Sequence, residues 1–408
     1  MISPLPRLRT GLSRRRGLVL AAVLAVPAVA VAIAVWLTAG DDGCDLGPPG
    51  CAPDPGGDEA ARVPLPPPGV PFGFNENPTV DGIPQGELEQ LALRAGATAR
   101  RFPLDWRLLE PARDAWDEAW WGRYEKAYRA ILAAGMTPVI NFGFAPVWAR
   151  EPGAPQACTD PNLCRYPPAP AMDAEWAEFS AEVARRFPEA VLEVWNEPNL
   201  AIFWRPTPDP ERFGELMAIA HRQIKRADPS ITVLAGGLAP NPEPSGPLGP
   251  DGPVAISLSE FLDRAYEAEP GIAGRMDALS FHPYPYGAAL GAGTLFAQAF
   301  ADAREVTARH GDAGIELWVT ETGIPTSGQP YAVTEAEQAD LLLRLYRRLA
   351  TMPDVGAILI HRLLPPPALP PGSSEPGHAL LRAGPPPVAP KPAFCALAAE
   401  AGNPYPGC

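Results

Sequence analysis

The sequence predicts an α/β fold, a closed (β/α)₈ barrel, from three features of residues 70–401. Eight short apolar runs alternate with eight segments of helical period, the pattern of parallel strands joined by helices. The apolar runs are nearly continuous, as expected for strands that are covered on both faces. No G-x-G-x-x-G segment opens a helix, which disfavours the rival interpretation, an open doubly wound sheet.

The predicted strands are short, rich in branched and aromatic residues, and begin with VPFGFN at residues 70–75. In chain order they are residues 70–75, 97–102, 137–144, 191–196, 231–237, 277–282, 315–321 and 355–361. Each is followed by a segment in which apolar residues recur with helical period. Eight strand–helix units within about 330 residues are the number that closes a barrel.

The predicted helices are longer than the strands and carry charged residues on one face. They are residues 84–95, 120–134, 173–187, 209–227, 258–268, 298–310, 334–350 and 391–401. The seventh has the clearest start signal, because Thr334 followed by Glu337 is a capping-box pattern. Its first residue is therefore expected just after Thr334.

A long apolar run near the N-terminus predicts a membrane anchor. Residues 18–37 contain no charge, and a helix of that length is ~30 Å long, enough to span a bilayer. Arginines lie only before the run, so the positive-inside rule places residues 1–16 in the cytoplasm and the remainder outside. We expect a transmembrane anchor at 17–39; a long cleaved signal peptide is the alternative. Both export the folded domain.

Residues 40–69 are dense in proline, glycine and acidic residues, which predicts an extended linker between the membrane and a folded domain at 70–408. The chain has a net charge of −14, and a surface this acidic argues against nucleic acid as a partner. Six cysteines fit an oxidising compartment and form three sequence-local couples, an expectation from proximity alone. The couples are Cys44 with Cys51, Cys158 with Cys164, and Cys395 with Cys408.

Polar residues recur at the carboxyl ends of the predicted strands, where the chemistry of a (β/α)₈ barrel is located. Reading along the chain, they are Arg101, Asn196, Glu197, His282, Tyr284 and Glu321. Packing alone does not require such a series. Glu193 and Glu316, which precede the two glutamates by a few residues, are interpreted as charges at strand starts.

Two carboxyl groups at the same end of a barrel are the catalytic pair that most glycosidases use to cleave a glycosidic bond. One carboxyl group must donate a proton to the leaving oxygen, and the other must be ionised to attack the anomeric carbon. Arg101 and Tyr284 are placed to reach Glu321, and a guanidinium favours the ionised form. Glu197 has no cation next to it in sequence, which suits the acid. Asn196 is expected to contact the sugar 2-hydroxyl.

Four segments carry a resemblance: WNEPN at 195–199, VTETG at 319–323, FHPYP at 281–285 and RFPLDW at 101–106. Together they resemble the retaining β-glycosidases of clan A, most closely glycoside hydrolase family 39, with the family 5 cellulase-like enzymes next. The resemblance runs from about Val70 to KPAF at 391–394. It implies that Glu197 is the acid/base and Glu321 the nucleophile. No metal or organic cofactor is expected.

One position departs from the clan pattern. Clan members usually carry a tryptophan at the end of the eighth strand, whereas this chain has Ile360, His361 and Arg362 there. Arg362 could suit an acidic or sulfated sugar. Trp148 and Trp204 follow the third and fourth strands, and each is predicted either to line the cleft or to pack in the core.

The sequence therefore predicts a retaining glycoside hydrolase that acts on an extracellular oligo- or polysaccharide, with a monomeric catalytic domain tethered to the cell membrane. A non-catalytic carbohydrate-binding barrel at the cell surface is the alternative, favoured by the missing tryptophan. A barrel that only presents loops to partners is a third. The sugar, the linkage and endo or exo action are left open.

Overall fold

The computed structural model describes a barrel domain and its loops. The described residues are 64–77, 85–155, 164–240, 248–249, 252–269, 271–285, 290–291, 293–328, 331–366, 374–382 and 388–408. The predicted cytoplasmic segment at 1–16, the anchor at 17–39 and most of the linker lie outside them. Within the described residues, no helix is long and apolar enough to cross a bilayer.

Eight parallel strands close into a barrel, as predicted. They are β1 (Phe72–Asn75), β2 (Ala99–Asp105), β3 (Thr137–Gly143), β4 (Val191–Val194), β5 (Val233–Leu238), β6 (Ala278–Phe281), β7 (Glu316–Thr322) and β8 (Val355–His361). Neighbours in sequence are neighbours in the barrel, and β1 pairs with β8 to close it. In this register Asn75 lies between His361 on β8 and Arg101 on β2, which brings three polar residues into one row.

Eight helices follow the strands in turn. They are α1 (Gln85–Arg94), α2 (Glu118–Ala133), α3 (Asp173–Arg186), α4 (Pro210–Ala227), α5 (Leu258–Ala268), α6 (Leu295–Arg309), α7 (Glu335–Ala350) and α8 (Pro392–Glu400). The predicted capping box is confirmed: Thr334 accepts from the Glu337 amide, and the Glu337 side chain accepts from the Thr334 amide. Short helices at Trp106–Leu109 and Glu375–His378 lie in the loops after β2 and β8.

The barrel interior changes from apolar to polar along the strands. One layer is apolar and consists of Ala99, Val139, Val191, Leu234, Ala278, Trp318, Ala357 and Leu359. Residues two positions further along a strand face the same side. On four strands those residues are Arg101, Asn141, Glu193 and His361, all of them buried. The carboxyl end of the barrel is thus lined with polar groups above an apolar floor.

Contacts at the two ends of the domain hold it together. At the N-terminal side, Leu65 is buried in the core upstream of β1. At the C-terminal side, the predicted disulfide between Cys395 and Cys408 is confirmed, and it ties α8 to the chain end. Cys164 is also disulfide-bonded; its predicted partner Cys158 and the couple Cys44–Cys51 lie outside the described residues.

Candidate active site

The two predicted catalytic glutamates meet at the carboxyl end of the barrel. Glu197 follows β4 and Glu321 lies near the end of β7. Nδ1 of His282, just after β6, is 2.9 Å from Oε1 of Glu197 and 3.9 Å from Oε2 of Glu321. Both carboxyl groups therefore border one pocket. This arrangement is compatible with the ~5–5.5 Å separation of carboxyl groups in retaining glycosidases.

Glu321 is held by groups that favour its ionised form. Nη1 of Arg101 donates to Oε1 over 2.5 Å, and Oη of Tyr284 donates to Oε2 over 3.1 Å. Burial alone raises the pKa of Glu321, but electrostatic interactions with His282, Arg101 and His361 outweigh it, so the pKa lies below its ordinary value. An ionised carboxylate at the carboxyl end of the barrel has the properties of a nucleophile.

Arg101 organises the floor of this pocket. Its side chain is 2% exposed. Nε donates to Glu193 over 2.6 Å, Nη2 donates to Oδ1 of Asn196 over 2.9 Å, and Nη1 donates to Glu321. Burial lowers the pKa of Arg101, but the charges of Glu193 and Glu321 outweigh it and the pKa is raised, which keeps the guanidinium charged. Arg101 thus acts on Glu321, rather than lying open to a sugar.

The interpretation of Glu193 as a charge at a strand start is wrong. Its side chain is fully buried inside the barrel and forms an ion pair with Arg101. It lies two residues after Val191 on β4 and so shares the inner face of that strand. Glu316, in contrast, is exposed at the start of β7, as the sequence predicted. The signal that could have distinguished the two is position along the strand, since Glu193 is the third residue of β4 whereas Glu316 is the first residue of β7.

The backbone that carries Glu197 is strained. Trp195 and Glu197 have φ angles of 73° and 43°, in the left-handed region that costs a non-glycine residue about 1–2 kcal/mol. Hydrogen bonds hold this turn: the Glu197 amide donates to the Gly237 carbonyl over 3.1 Å, and the Trp195 amide donates to the Phe142 carbonyl over 2.9 Å. Residues held in sparsely populated backbone conformations cluster at functional sites. Here the turn ends β4 and directs Glu197 to His282.

Asn196 and Asn199, in the same turn, have different hydrogen-bond partners and different roles. Oδ1 of Asn196 accepts from Arg101, which fixes the amide beside Glu321. Asn199 is fully buried and donates through Nδ2 to the carbonyls of Ala239 and Ile256, both over 3.0 Å. Asn199 therefore braces the loop, and Asn196 is the one in the pocket.

His282 is fully buried, and its two ring nitrogens have different surroundings. Nδ1 is hydrogen-bonded to Glu197. Nε2 has no hydrogen-bond partner among the described residues. A methyl group on Gly237, whose φ is +48°, would lie 2.9 Å from this nitrogen, so only glycine leaves room for the ring.

His361 occupies the end of the eighth strand, where clan members usually carry tryptophan. Its Nε2 is 2.9 Å from Oε2 of Glu375, and its Nδ1 is 3.3 Å from Nδ2 of Asn75 and 3.9 Å from Oε2 of Glu321. Burial lowers the pKa of His361, but the charges of Glu375 and Glu321 and the hydrogen bond to Glu375 outweigh it, and the pKa is raised above its ordinary value. An imidazole whose protonated form is favoured thus borders Glu321.

Arg362 does not face the pocket in the way an acidic sugar would need. It is buried against Glu76, with which it forms an ion pair, and Glu76 also accepts from the Leu364 amide over 2.8 Å. The guanidinium charge is therefore compensated within the protein. The structure gives no support to recognition of an acidic or sulfated sugar by this residue.

The two candidate tryptophans are not equivalent. Trp204 is 1% exposed and packs against Trp195, with ring centroids 4.8 Å apart, so it belongs to the core rather than to the cleft surface. Trp148 is half-buried; its Nε1 donates to the Glu110 carbonyl over 2.9 Å, and its ring packs edge-on against Trp106. Of the predicted substrate-binding residues, Asn196, Arg101, His282 and Tyr284 are brought together with the glutamates.

Across the described residues, no group of three or more His, Cys, Asp or Glu side chains could hold a metal ion. The described chemistry of the site consists of carboxylates, imidazoles, a guanidinium, a phenol and an amide.

Solved structures with the same barrel include carbohydrate-active enzymes. A family 39 glycoside hydrolase from Bacteroides cellulosilyticus WH2 superposes with a TM-score of 0.58 and 23% identity, over 81% of this chain and 64% of that one. The chain has the fold of family 39 glycoside hydrolases. A monomeric beta-xylosidase from Caulobacter crescentus CB15 gives a TM-score of 0.56 and 18% identity, over 81% of this chain and 67% of that one.

An exo-beta-1,4-mannosidase from Opitutaceae bacterium strain TAV5 also has a similar fold, with a TM-score of 0.53 and 17% identity, over 82% of this chain and 59% of that one. No sequence-family description and no curated protein sequence matches the chain. The resemblance drawn from the four motifs is thus confirmed at the level of the fold, and this chain spans less than two thirds of the length of the Bacteroides enzyme.

Proposed function

We propose that the protein is a retaining glycoside hydrolase in which Glu321 is the nucleophile and Glu197 the acid/base. The proposal rests on one observation: the carboxylates of Glu197 and Glu321 both lie within 4 Å of Nδ1 of His282, and of these two only Glu321 is bound by the guanidinium of Arg101. Two carboxyl groups in different electrostatic surroundings are what acid and nucleophile roles require. The shared fold with family 39 glycoside hydrolases supports it.

In the first step a carboxylate oxygen of Glu321 attacks the anomeric carbon. The bond from that carbon to the leaving oxygen breaks, and the proton of Glu197 moves to that oxygen. The products are a glycosyl ester on Glu321, an ionised Glu197 and a free alcohol. Tyr284 and Arg101 hold the attacking carboxylate in place, which lowers the entropic part of the barrier.

In the second step Glu197 accepts a proton from water, and the water oxygen attacks the same carbon. The ester bond breaks and returns Glu321 to its ionised form, with net retention at the anomeric carbon. We further propose that Nδ2 of Asn196 contacts the sugar 2-hydroxyl, since its Oδ1 is occupied by Arg101. Substrates are proposed to be β-linked oligo- or polysaccharides, by analogy with the beta-xylosidase and the exo-beta-1,4-mannosidase.

The test is hydrolysis of a panel of nitrophenyl and alkyl β-glycosides by the full-length chain; the alkyl glycosides are the unactivated substrates. We expect Glu197→Ala to lower kcat on an unactivated substrate by about 10²–10⁴-fold, the usual contribution of a general acid or base. Glu321→Gln should lower it by about 10⁴-fold or more. Glu316→Gln is the matched control, since this exposed glutamate lies on the same strand as Glu321.

Azide distinguishes the two roles, because it needs no general base. It should restore turnover of a nitrophenyl substrate to Glu197→Ala and yield a β-glycosyl azide. Full activity in both glutamate variants would refute the assignment.

A second candidate, a non-catalytic carbohydrate-binding barrel, is favoured by one observation. The end of β8 carries His361 in place of the tryptophan on which clan members seat the sugar. This candidate predicts glycan binding without turnover of any substrate in the panel, and a sugar-dependent rise in melting temperature that persists in Glu321→Gln. A barrel that only presents loops to partners predicts no such rise.

We also propose that residues 17–39 anchor the protein in the cell membrane with a monomeric barrel on the outer side. The apolar run and the arginines that precede it support this orientation. Protease treatment of intact cells should remove the barrel and leave residues 1–16 protected. Recovery of a soluble chain that begins after residue 39 would favour the cleaved signal peptide.

A further inference from the structure

Two buried polar atoms without partners face the same space beside the acid/base. They are Nε2 of His282 and Oε1 of Glu193, and neither has a hydrogen-bond partner within the described part of the chain. A methyl group built on Gly237 would lie 2.9 Å from Nε2 and 3.3 Å from Oε1, so both atoms border the α-carbon of this glycine. Buried polar atoms without partners are costly and call for an explanation.

The second ring nitrogen of His282 is bound to the acid/base, so the two ends of the ring are chemically coupled. Nδ1 is 2.9 Å from Oε1 of Glu197. If Nε2 carries a hydrogen, Nδ1 accepts a hydrogen bond from protonated Glu197, or it holds that proton itself as imidazolium. In both forms one transferable proton lies on the Glu197–His282 pair. If Nε2 is bare, Nδ1 donates to an ionised Glu197, and the pair has no proton to give to a leaving group.

The charge of Glu193 favours the first arrangement. The distances of 2.9 Å and 3.3 Å from one point on Gly237 place Oε1 of Glu193 within about 6.2 Å of Nε2. At that range a carboxylate oxygen attracts the positive end of an N–H dipole and repels a bare nitrogen lone pair. Arg101 neutralises part of this carboxylate, but its two nitrogens contact Oε2, which leaves Oε1 as the oxygen on the His282 side. At full burial such an interaction is weakly screened.

We propose that Glu193 is a positioning residue that holds a hydrogen on Nε2 of His282 and thereby keeps the transferable proton on the Glu197–His282 pair. This inference rests on the proposed role of Glu197 as acid/base. It assigns a second task to the ion pair between Glu193 and Arg101. The guanidinium of Arg101 favours the ionised form of Glu321. Glu193, the ion-pair partner of Arg101, keeps the transferable proton on the Glu197–His282 pair.

Other charged or titratable groups around the pair act on Nδ1 or on Glu321 rather than on Nε2. Glu321 on β7 is 3.9 Å from Nδ1 and also attracts a proton to this nitrogen. Tyr284 and His361 contact Glu321. Gly237 on β5 is the neighbour of Nε2 and carries no charge. Of the groups located here, Glu193 is the one whose charge faces Nε2.

The test compares leaving groups in Glu193→Gln, using the full-length chain and two glycosides of the best sugar. An alkyl glycoside needs the proton of the acid, and a dinitrophenyl glycoside does not. For the alkyl substrate we expect the basic limb of kcat/KM to move to lower pH by about one unit, which is a loss of about tenfold above that limb. For the dinitrophenyl substrate the basic limb should not move, and the loss in kcat/KM should be about fivefold or more smaller than for the alkyl substrate, since it reports only the weakened support of Arg101.

Glu89→Gln is the matched control. Glu89 is another buried glutamate in an ion pair, with Arg100 on the same strand as Arg101, but it lies on α1 rather than on a barrel strand. We expect its profile to follow that of the wild type with both substrates. Equal losses with both substrates in Glu193→Gln, or an unmoved basic limb, would overturn the proposal, because a role confined to Arg101 and the nucleophile predicts either result.

A measurement on the wild-type chain keeps the proposal testable if Glu193→Gln does not fold. The ¹⁵N chemical shifts of His282 report which ring nitrogen carries hydrogen. We expect Nε2 to be protonated throughout the pH range of activity, and a bare Nε2 beside a protonated Nδ1 would overturn the inference. Full activity in Glu197→Ala would instead remove the proposed acid/base, and the chemical shifts separate that failure from this one.

Discussion

Arg101 donates from Nη1 to Oε1 of Glu321 over 2.5 Å and so joins the second and seventh strands at the mouth of the barrel. The same guanidinium also donates to Glu193 and Asn196 on the β4 side. Three carbonyl or carboxylate oxygens from two sides of the barrel are thereby fixed by one planar group. The geometry of the proposed nucleophile depends on this group more than on any residue that touches Glu321 from a loop.

Replacing Arg101 with lysine tests this dependence. Lysine keeps the charge but cannot donate from a planar fork in three directions. Each lost hydrogen bond to a charged group is worth ~1.5–3 kcal/mol, so kcat/KM should fall by at least about 10–100-fold. The acid limb of the pH profile should also move upward, because the hydrogen bond from Arg101, which lysine does not reproduce, helps to hold the pKa of Glu321 below its ordinary value of 4.5.

The matched control for that variant is Arg100→Lys. Arg100 is the preceding residue on β2, is equally buried and pairs with Glu89. Its replacement should lower stability without moving the acid limb. An unmoved acid limb in Arg101→Lys would show that other groups keep Glu321 ionised.

Glu375→Gln should remove a pH-dependent contribution to stability. Partial burial raises the pKa of Glu375, but the charge and hydrogen bond of His361 outweigh it and bring the pKa to about 2. The pKa of His361 is raised above 6.5, so its contribution is complete below pH 6.5 and is lost as pH rises through the folded-state pKa. The contribution of Glu375 is complete above pH 4.5 and is lost as pH falls towards 2.

Both contributions are complete between pH 4.5 and 6.5. Since Glu375 is 44% exposed, we expect a loss of only about 1 kcal/mol in the free energy of unfolding at pH 5.5, and a smaller loss at pH 9. Glu400→Gln, which breaks an ion pair with Arg347, should show the same loss at both pH values. Urea unfolding at the two pH values makes the comparison, and a pH-independent loss in Glu375→Gln would contradict it.

Trp204→Ala should lower the free energy of unfolding of the barrel rather than the affinity for substrate. The ring is buried between Trp195 and Phe213, and truncation of such a side chain costs ~3–5 kcal/mol. Trp148→Ala, at a half-buried ring, should cost less. Denaturant unfolding gives both values. If Trp204→Ala kept its stability and lost only affinity for substrate, the residue would line the cleft after all.

Cys408→Ser tests the confirmed disulfide. The bond closes a loop with a sequence separation of 13 residues, and a loop of this size contributes about 3 kcal/mol in the chain-entropy account. We expect the free energy of unfolding to fall by about 2–3 kcal/mol in oxidising buffer. Wild type and variant should converge when the bond is reduced, and a persistent difference would point to a lost packing contact instead.

Much of the fold could be predicted because each strand and helix carries its own pattern. The exceptions have local causes. The strand predicted at residues 191–196 ends at Val194, since Trp195 turns to φ 73°. The helix predicted to start at residue 298 starts at Leu295, because the Thr294 side chain caps it by accepting from the Ala297 amide. Neither a strained turn nor a threonine cap changes the apolar period from which boundaries are read.

The site residues also fall into those that could be predicted from the sequence and those that could not. Glu197 and Glu321 could be found because each follows an apolar strand, and strand ends converge in a barrel. The role of Glu193 required knowing that its inward neighbour is Arg101, a contact across 92 positions of sequence. The pairing of His361 with Glu375 depends on a loop after β8 and follows no period. Contacts between a strand end and a loop were therefore the part that could not be predicted.

The most direct test of the proposed mechanism is to trap the glycosyl-enzyme. A glycoside with fluorine in place of the 2-hydroxyl and a dinitrophenyl leaving group slows the second step more than the first, so the ester should accumulate on the nucleophile. Peptide mass spectrometry should find the sugar on Glu321 in the wild-type chain and nowhere in Glu321→Gln. A sugar found on Glu197, Glu193 or another carboxylate, or turnover of the substrate by Glu321→Gln at the wild-type rate, would contradict the account.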